Sequence, residues 1–174
     1  MPSKPTLRRK PTRMPGYDYT LPGGYFVTIC THQHQTLFGE VVAGEMQLNK
    51  VGEIVRECWA NLPTNYPNIQ LDEFVIMPDH VHGVLFILET ESIVGSGLKP
   101  DPTKRYSLSE IIRGFKTFSS RKINSIYDTR GQKNWQRSFY DRIIRDDDEL
   151  DQLRAYIRAN PLRWQEHAAN TDGN

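Results

Sequence analysis

The stretch HVHGVLFIL, residues 80–88, limits the fold of this chain more than any other, because it is apolar on both of its faces. Side chains two apart in a strand share a face. His80, His82, Val84, Phe86 and Leu88 therefore line one side, and Gly83, Leu85 and Ile87 line the other. A strand apolar on both sides is a central strand, covered above and below. The fold must be layered, and two histidines stand at the mouth of its buried strand.

The remaining pattern supplies the layers. Gly23-Gly24 mark a turn before a strand, Tyr25 to Thr31, rich in aromatic and β-branched residues. Phe38–Val42 and Glu45–Leu48 read as a hairpin turning at Ala43-Gly44. A helix follows from Lys50 to about Leu62 on the spacing of Val51, Ile54, Val55, Cys58 and Trp59. IQLDEFVIM is a strand, separated from HVHGVLFIL by Pro78-Asp79. Residues 89–105 show no period and contain Gly95, Gly97, Pro100 and Pro102, as in a long functional or mobile loop. Ser107 and Glu110 form a capping-box pattern opening a second helix, whose expected buried stripe is Leu108, Ile111, Ile112, Phe115 and Phe118. SFYDRII is a last strand. Asp146 to Glu149 open a final helix, where acids suit the N-terminal end of the dipole, and Pro161 is expected to end it. Strands joined mostly by short turns, with interspersed helices, predict an α+β fold with an antiparallel sheet.

One domain is expected, residues 18–164, between a basic arm at 1–17 and a polar tail at 165–174. The net charge is +1, yet the arm holds Lys4, Arg8, Arg9, Lys10 and Arg13 with no acid. Such an arm suits phosphates. No apolar run reaches the ~18 residues of a membrane span, and the N-terminus lacks a signal-peptide core. Cys30 and Cys58 form no CxxC or disulfide framework. A cytoplasmic protein without membrane contact is expected.

His80 and His82 project side by side, and neutral imidazoles so placed can share a divalent metal in an open site. Satisfied core histidines would show the same spacing. His32 and His34 repeat it among polar residues beyond a strand end, where they read as a solvated turn. The last helix bears on the choice. Leu150, Leu153 and Ile157 form its buried stripe. At ~100° per residue, Tyr156 and Asn160 lie ~40° apart along one edge of that stripe. A tyrosine there can simply pack with its hydroxyl in water. Beside a metal it becomes a nucleophile for a phosphodiester, since a divalent cation neutralises the charge that otherwise repels a phenol. Tyr140, in SFYDR, is the nearest rival; without a polar partner one turn away it reads as structural.

The sequence resembles the single-tyrosine HUH transposases, and most closely the REP-associated tyrosine transposases. MPDHVHGVL and WQRSFYDRIIRDDDELDQLRAYIRANPLRW carry the likeness to the family's histidine strand and tyrosine region. PGYDYTLPGGYFVTICT and YSLSEIIRGFKTFSSRKIN resemble its first strand and middle helix, so that the likeness covers residues 8 to 164. It implies a ferredoxin-like, RRM-like sheet of the HUH endonuclease type. It further implies His80, His82 and Asn160 as ligands of Mg²⁺ or Mn²⁺, and Tyr156 as the nucleophile joined to a DNA 5′-phosphate. Related insertion-sequence transposases carry glutamine near the position of Asn160. The implied substrate is single-stranded DNA beside a small hairpin, and some relatives act as homodimers. Basic candidates for holding it are Arg8, Arg9, Lys10, Arg13, Arg113, Lys116, Arg121, Lys122, Arg137, Arg142 and Arg145. Two rival classes are a noncatalytic RRM-like nucleic-acid binder and a metal-dependent hydrolase of a small substrate. The latter normally needs several acidic ligands, and only Asp79 adjoins the histidines.

Overall fold

In a computed structural model that describes residues 16–89 and 105–171, the expected central strand is one of the two inner strands of a four-stranded antiparallel sheet. β1 (Gly23–Cys30) is followed by a hairpin of β2 (Gly39–Val42) and β3 (Glu45–Leu48), then α1 (Lys50–Ala60) and a short α2 (Leu62–Asn65). β4 (Ile69–Ile76) and β5 (His80–Ile87) lead to α3 (Leu108–Ile126), β6 (Tyr140–Ile144) and α4 (Asp147–Thr171). The sheet order is β4-β5-β1-β6, with every pairing antiparallel. Leaving the β2–β3 hairpin aside, this is two interleaved β-α-β units, the ferredoxin-like arrangement that the family resemblance implies. The arm residues Arg8, Arg9, Lys10 and Arg13, and most of the 89–105 loop, lie outside the described residues. Among the described residues, no helix is long and apolar enough to cross a membrane.

Each face of the sheet has its own core. On one side Tyr25, Val27, Ile29, Val81, Leu85 and Ile87 pack with Trp59 of α1 and Ile111, Ile112 and Phe115 of α3. On the other, Val84 packs with Leu150, Leu153 and Ile157 of α4, flanked by Phe26, Val75, Phe86 and Ile144. The two helices of the first layer start from good caps. Asn49 Oδ1 accepts the N–H groups of Val51 and Gly52, and the Ser107–Glu110 capping box forms as read. Ala43 and Gly44 both take positive φ, the backbone a two-residue hairpin turn requires.

The layer on the histidine side is tied at two places. The register of β4 on β5 shifts between Leu71 and Phe74, so that Asp72 and Glu73 fall in a bulge. Arg154 reaches down from α4 and binds Asp72 with two bonds, Nε to Oδ1 at 2.8 Å and Nη2 to Oδ2 at 2.6 Å. Arg158 adds Nε to Glu73 Oε1 at 3.0 Å. At the start of the helix, Asp146 Oδ1 accepts the Glu149 N–H while Glu149 Oε2 accepts the Arg145 N–H.

Two expectations are corrected. α4 does not stop before Pro161 but runs through it to Thr171. Proline removes its own N–H and crowds the carbonyl four residues back, here that of Ile157. The helix beyond is held by packing instead: Trp164 lies 5.8 Å from the His80 ring, centroid to centroid, and Leu162 sits beside the Gly44 turn. Phe118 is half exposed, and Ser119 and Ile123 complete the α3 stripe. Position 119 continues the line of Leu108, Ile111 and Phe115 at i+4, and position 118 lies ~100° round the helix from it.

Gly83 is the point where the first core presses on the histidine strand. A Cβ there would lie 2.4 Å from Cζ2 of Trp59, whose ring is boxed by Phe74 and Phe115. Gly83→Ala is expected to destabilise the fold by about 1–3 kcal/mol through overpacking, read as a lower urea midpoint with unchanged slope. An unchanged midpoint would show that Trp59 can move aside.

Candidate active site

The turn Met77–His80 is built before its side chains are used. The Met77 N–H donates to the His80 carbonyl at 2.8 Å, closing the chain around Pro78-Asp79. Behind it, the Pro78 carbonyl accepts the N–H groups of Leu37 and Phe38, and the Asp79 carbonyl accepts that of Thr31. The Asp79 carboxylate is thereby fixed between two imidazoles, Oδ1 at 2.5 Å from His80 Nδ1 and Oδ2 at 3.2 Å from His34 Nδ1. Burial pushes the Asp79 carboxyl upward, but the hydrogen bonds and charges of His80 and His34 outweigh it and hold it below its ordinary value. His34 was expected in a solvated turn. Its ring is mostly exposed, yet it belongs to this network through a contact 45 residues away in sequence.

His82 is held from the neighbouring strand. Thr28 stands opposite it in the β1–β5 register, and its Oγ1 is 2.9 Å from His82 Nδ1. The His82 ring stacks on Phe26 at 5.3 Å and lies 4.5 Å from His80, centroid to centroid. Only 6% of the residue is exposed. Burial, and secondarily the proximity of His80, push its pKa down to about 3, with Asp79 opposing. The ring is neutral at physiological pH.

α4 brings the remaining groups. Tyr156 is half-buried, its hydroxyl 3.4 Å from His82 Nε2 and its ring 5.2 Å from the His82 ring. Asn160 is buried one turn later. Trp164, a further turn on, meets His80. The i, i+4, i+8 row of Tyr156, Asn160 and Trp164 thus runs along the histidine pair, and the Arg163 guanidinium lies 5.3 Å over the Tyr156 ring.

This donor set fits a divalent ion of the open kind. Both Nδ1 atoms are engaged, by Asp79 and Thr28, which fixes the ring orientation and leaves Nε2 as the coordinating nitrogen of each ring, that of His82 facing the Tyr156 hydroxyl. Among the described residues no group of three or more His, Cys, Asp or Glu side chains could hold a metal. A third protein donor must therefore be an amide or hydroxyl, as Asn160 would supply. Asp79 and Thr28, the orienting partners of the two rings, are members of this cluster that sequence reasoning did not place there. Asp79 carried a signal in its adjacency to His80; Thr28 carried none short of strand register.

The other named residues fall elsewhere. Tyr140 was read as a structural strand residue, but it is 54% exposed. It pairs in register with Thr28 on the edge strand, so it stands on the same sheet face as His82. Arg142 pairs with Glu149 and Lys122 with Glu57. Lys116 Nζ donates to the carbonyls of Gln136 and Ser138. Arg113, Arg121, Arg137 and Arg145 are exposed.

Comparison with known proteins points one way. The family described as IS200-like transposases matches residues 100–160. An uncharacterized protein of Haemophilus influenzae is 35% identical, covering 94% of each chain. The solved structure of a REP-associated tyrosine transposase bound to a REP hairpin superposes with a TM-score of 0.59 at 16% identity, covering 87% of this chain and 74% of that one. A putative transposase from Deinococcus radiodurans superposes at 0.50 with 17% identity, covering 83% and 94%. These two likenesses show the fold.

His82 gives a pH prediction. The unfolded chain takes up its imidazole proton near pH ~6.5, whereas the folded chain resists until about 3. Folding stability should therefore fall as pH drops through that window. In metal-free protein, NMR should show the His82 ring neutral from pH 8 to 4; a midpoint near 6 would disprove the assignment.

Proposed function

The chain belongs to the IS200-like transposase family, and from that premise we propose a metal-dependent endonuclease and strand transferase for single-stranded, hairpin-associated DNA, with Tyr156 as nucleophile. The observation that carries this reading is the approach of the Tyr156 hydroxyl to within 3.4 Å of His82 Nε2, beside a second oriented histidine. A divalent ion, Mg²⁺ or Mn²⁺, held by His80, His82 and Asn160 would polarise the scissile phosphate and neutralise charge on it.

The chain's own residues do the rest. The ring contact of Tyr156 with His82 and the guanidinium of Arg163 hold the phenol at one position. The bond that forms joins Tyr156 Oη to phosphorus, and the bond that breaks is P–O3′. The phenol proton leaves to water, and the departing 3′ oxygen takes one up. One phosphodiester replaces another, so the strand can be rejoined without an external energy source. Tyr156 and the two histidines meet within one chain.

The test uses 3′-labelled single-stranded oligonucleotides bearing short palindromes, with Mn²⁺. Wild type is expected to give a covalent protein–DNA adduct that survives detergent. Tyr156→Phe should abolish the adduct and retain binding, while Tyr140→Phe should keep both. An adduct in the Tyr156 variant would overturn the assignment. Binding without any adduct would leave a noncatalytic nucleic-acid-binding protein. Asp79→Asn removes the charge that orients His80, and Mn²⁺ affinity, followed by calorimetry, should drop about 10–100-fold.

A further inference from the structure

A cavity of about 960 Å³ lies between α3 and the segment 128–139 that leads into β6. Arg113 and Arg121 line its helix wall, and Arg130, Lys133 and Arg137 its other wall. All five are exposed, and among the described residues none makes an ion pair. Two acids, Glu110 and Asp128, also line the cavity. The Glu110 carboxylate is engaged by Ser107 in the capping box. The cations are left facing one concave surface with little to offset them.

The far wall is a thirteen-residue connection without regular structure between α3 and β6, yet it is tied throughout. Lys116 Nζ binds the carbonyls of Gln136 and Ser138 at 3.0 and 2.8 Å. The Trp135 indole N–H donates to Ser119 Oγ at 2.9 Å, and Asn124 joins Gln132 and Asn134. The Gln136 N–H donates to the Cys30 carbonyl at the end of β1. Like charges held apart on a fixed frame repel one another. They lose little freedom when a polyanion bridges them.

The two arginines of the helix wall are also too far apart to share one small anion. Arg113 and Arg121 are eight residues apart on one helix, ~12 Å at ~1.5 Å per residue. That span matches about three phosphate intervals along one strand of a duplex stem, each ~3.4 Å of helix axis. The cavity reaches Phe139. The next residue, Tyr140, is exposed and stands in register with Thr28, which holds His82. With strands ~4.8 Å apart, the groove ends roughly 10 Å from the histidine strand, around the β6 edge.

We propose that this groove binds a phosphodiester backbone, and that the strand passes Tyr140, stacking a base on its ring, to reach the catalytic face. The proposal rests on the reading of the chain as a DNA strand transferase, and the phosphates can belong to a single strand or to a hairpin stem.

The experiment measures binding by fluorescence anisotropy in EDTA as a function of salt, with an unstructured oligonucleotide and with a blunt DNA hairpin. The variant carries Arg130→Gln, Lys133→Gln and Arg137→Gln; Arg113→Gln with Arg121→Gln tests the other wall should the first fail to fold. Losing three phosphate contacts should reduce the salt slope of log K by about 2 for a single strand, or nearer 3 for a duplex. The probe that responds identifies the source of the phosphates. Tyr140→Leu should weaken single-strand binding about tenfold without altering the slope. An unchanged slope with both probes overturns the groove, and an unchanged Tyr140→Leu affinity overturns the route past β6. Adduct formation by wild type with an unaltered slope would sink the groove alone. An altered slope without any adduct would sink the strand-transfer reading alone.

Discussion

The docking of α4 onto the sheet is the contact on which the site depends, because Tyr156 has no other means of reaching His82. Its strength and its register come from different sources. Burying Leu150, Leu153 and Ile157 against Val84 contributes ~1.5–3 kcal/mol for each side chain. The Arg154–Asp72 pair, partly exposed, is worth ~1 kcal/mol or less. An apolar stripe, however, tolerates sliding, whereas two parallel hydrogen bonds to one carboxylate do not. A slip of one residue would move Tyr156 by ~1.5 Å and turn it ~100°. The bulge that exposes Asp72 and Glu73 therefore positions the tyrosine without supplying most of its holding energy.

β5 is shared by two packing systems that press on it from opposite sides. Trp59 fills the space beneath Gly83, and α4 closes over Val84. His82, beside Gly83 and two residues before Val84, inherits a backbone that neither layer can move alone. Its burial keeps the ring neutral, and Thr28 orients it from β1. His80 depends instead on the Pro78-Asp79 turn, which is pinned by backbone bonds from Thr31, Leu37 and Phe38. The β2–β3 hairpin is thus more than an insertion: the segment entering it braces the turn that aims a histidine of the candidate site.

Most of the architecture was legible because it rests on local rules. Strand alternation located β5 and its two faces, the Ser107–Glu110 pattern located the start of α3, and helical spacing put Tyr156 and Asn160 on one edge. What escaped was non-local. Nothing around His34 or Thr28 records that they meet Asp79 and His82, since strand register and turn packing decide both. Pro161 misled for the same reason: its local penalty is real, but Trp164 and Leu162 find partners on His80 and the Gly44 turn. Phe118 was misplaced by one position at the end of the stripe, where the small Ser119 and not the aromatic ring faces the core. Tyr140 looked structural among apolar neighbours, yet its strand is an edge and its side chain is left in the open.

Charge separates two tasks on this molecule. Around α4 the cations are largely neutralised: Arg154 by Asp72 and Asp151, Arg158 by Glu73, and Arg142 by Glu149. Arg163 over Tyr156 is the cation that stands beside the proposed nucleophile. A surface so balanced attracts a polyanion weakly, and a phosphodiester brought there would be held chiefly at the reacting group. The five groove cations Arg113, Arg121, Arg130, Lys133 and Arg137 are the opposite case, without an ion pair among the described residues and set on a braced frame. Affinity placed away from the reacting atoms binds substrate and product strands alike. That suits a chemistry whose two phosphodiester states are nearly equal in energy, because a strand retained after cleavage is still at hand to be rejoined.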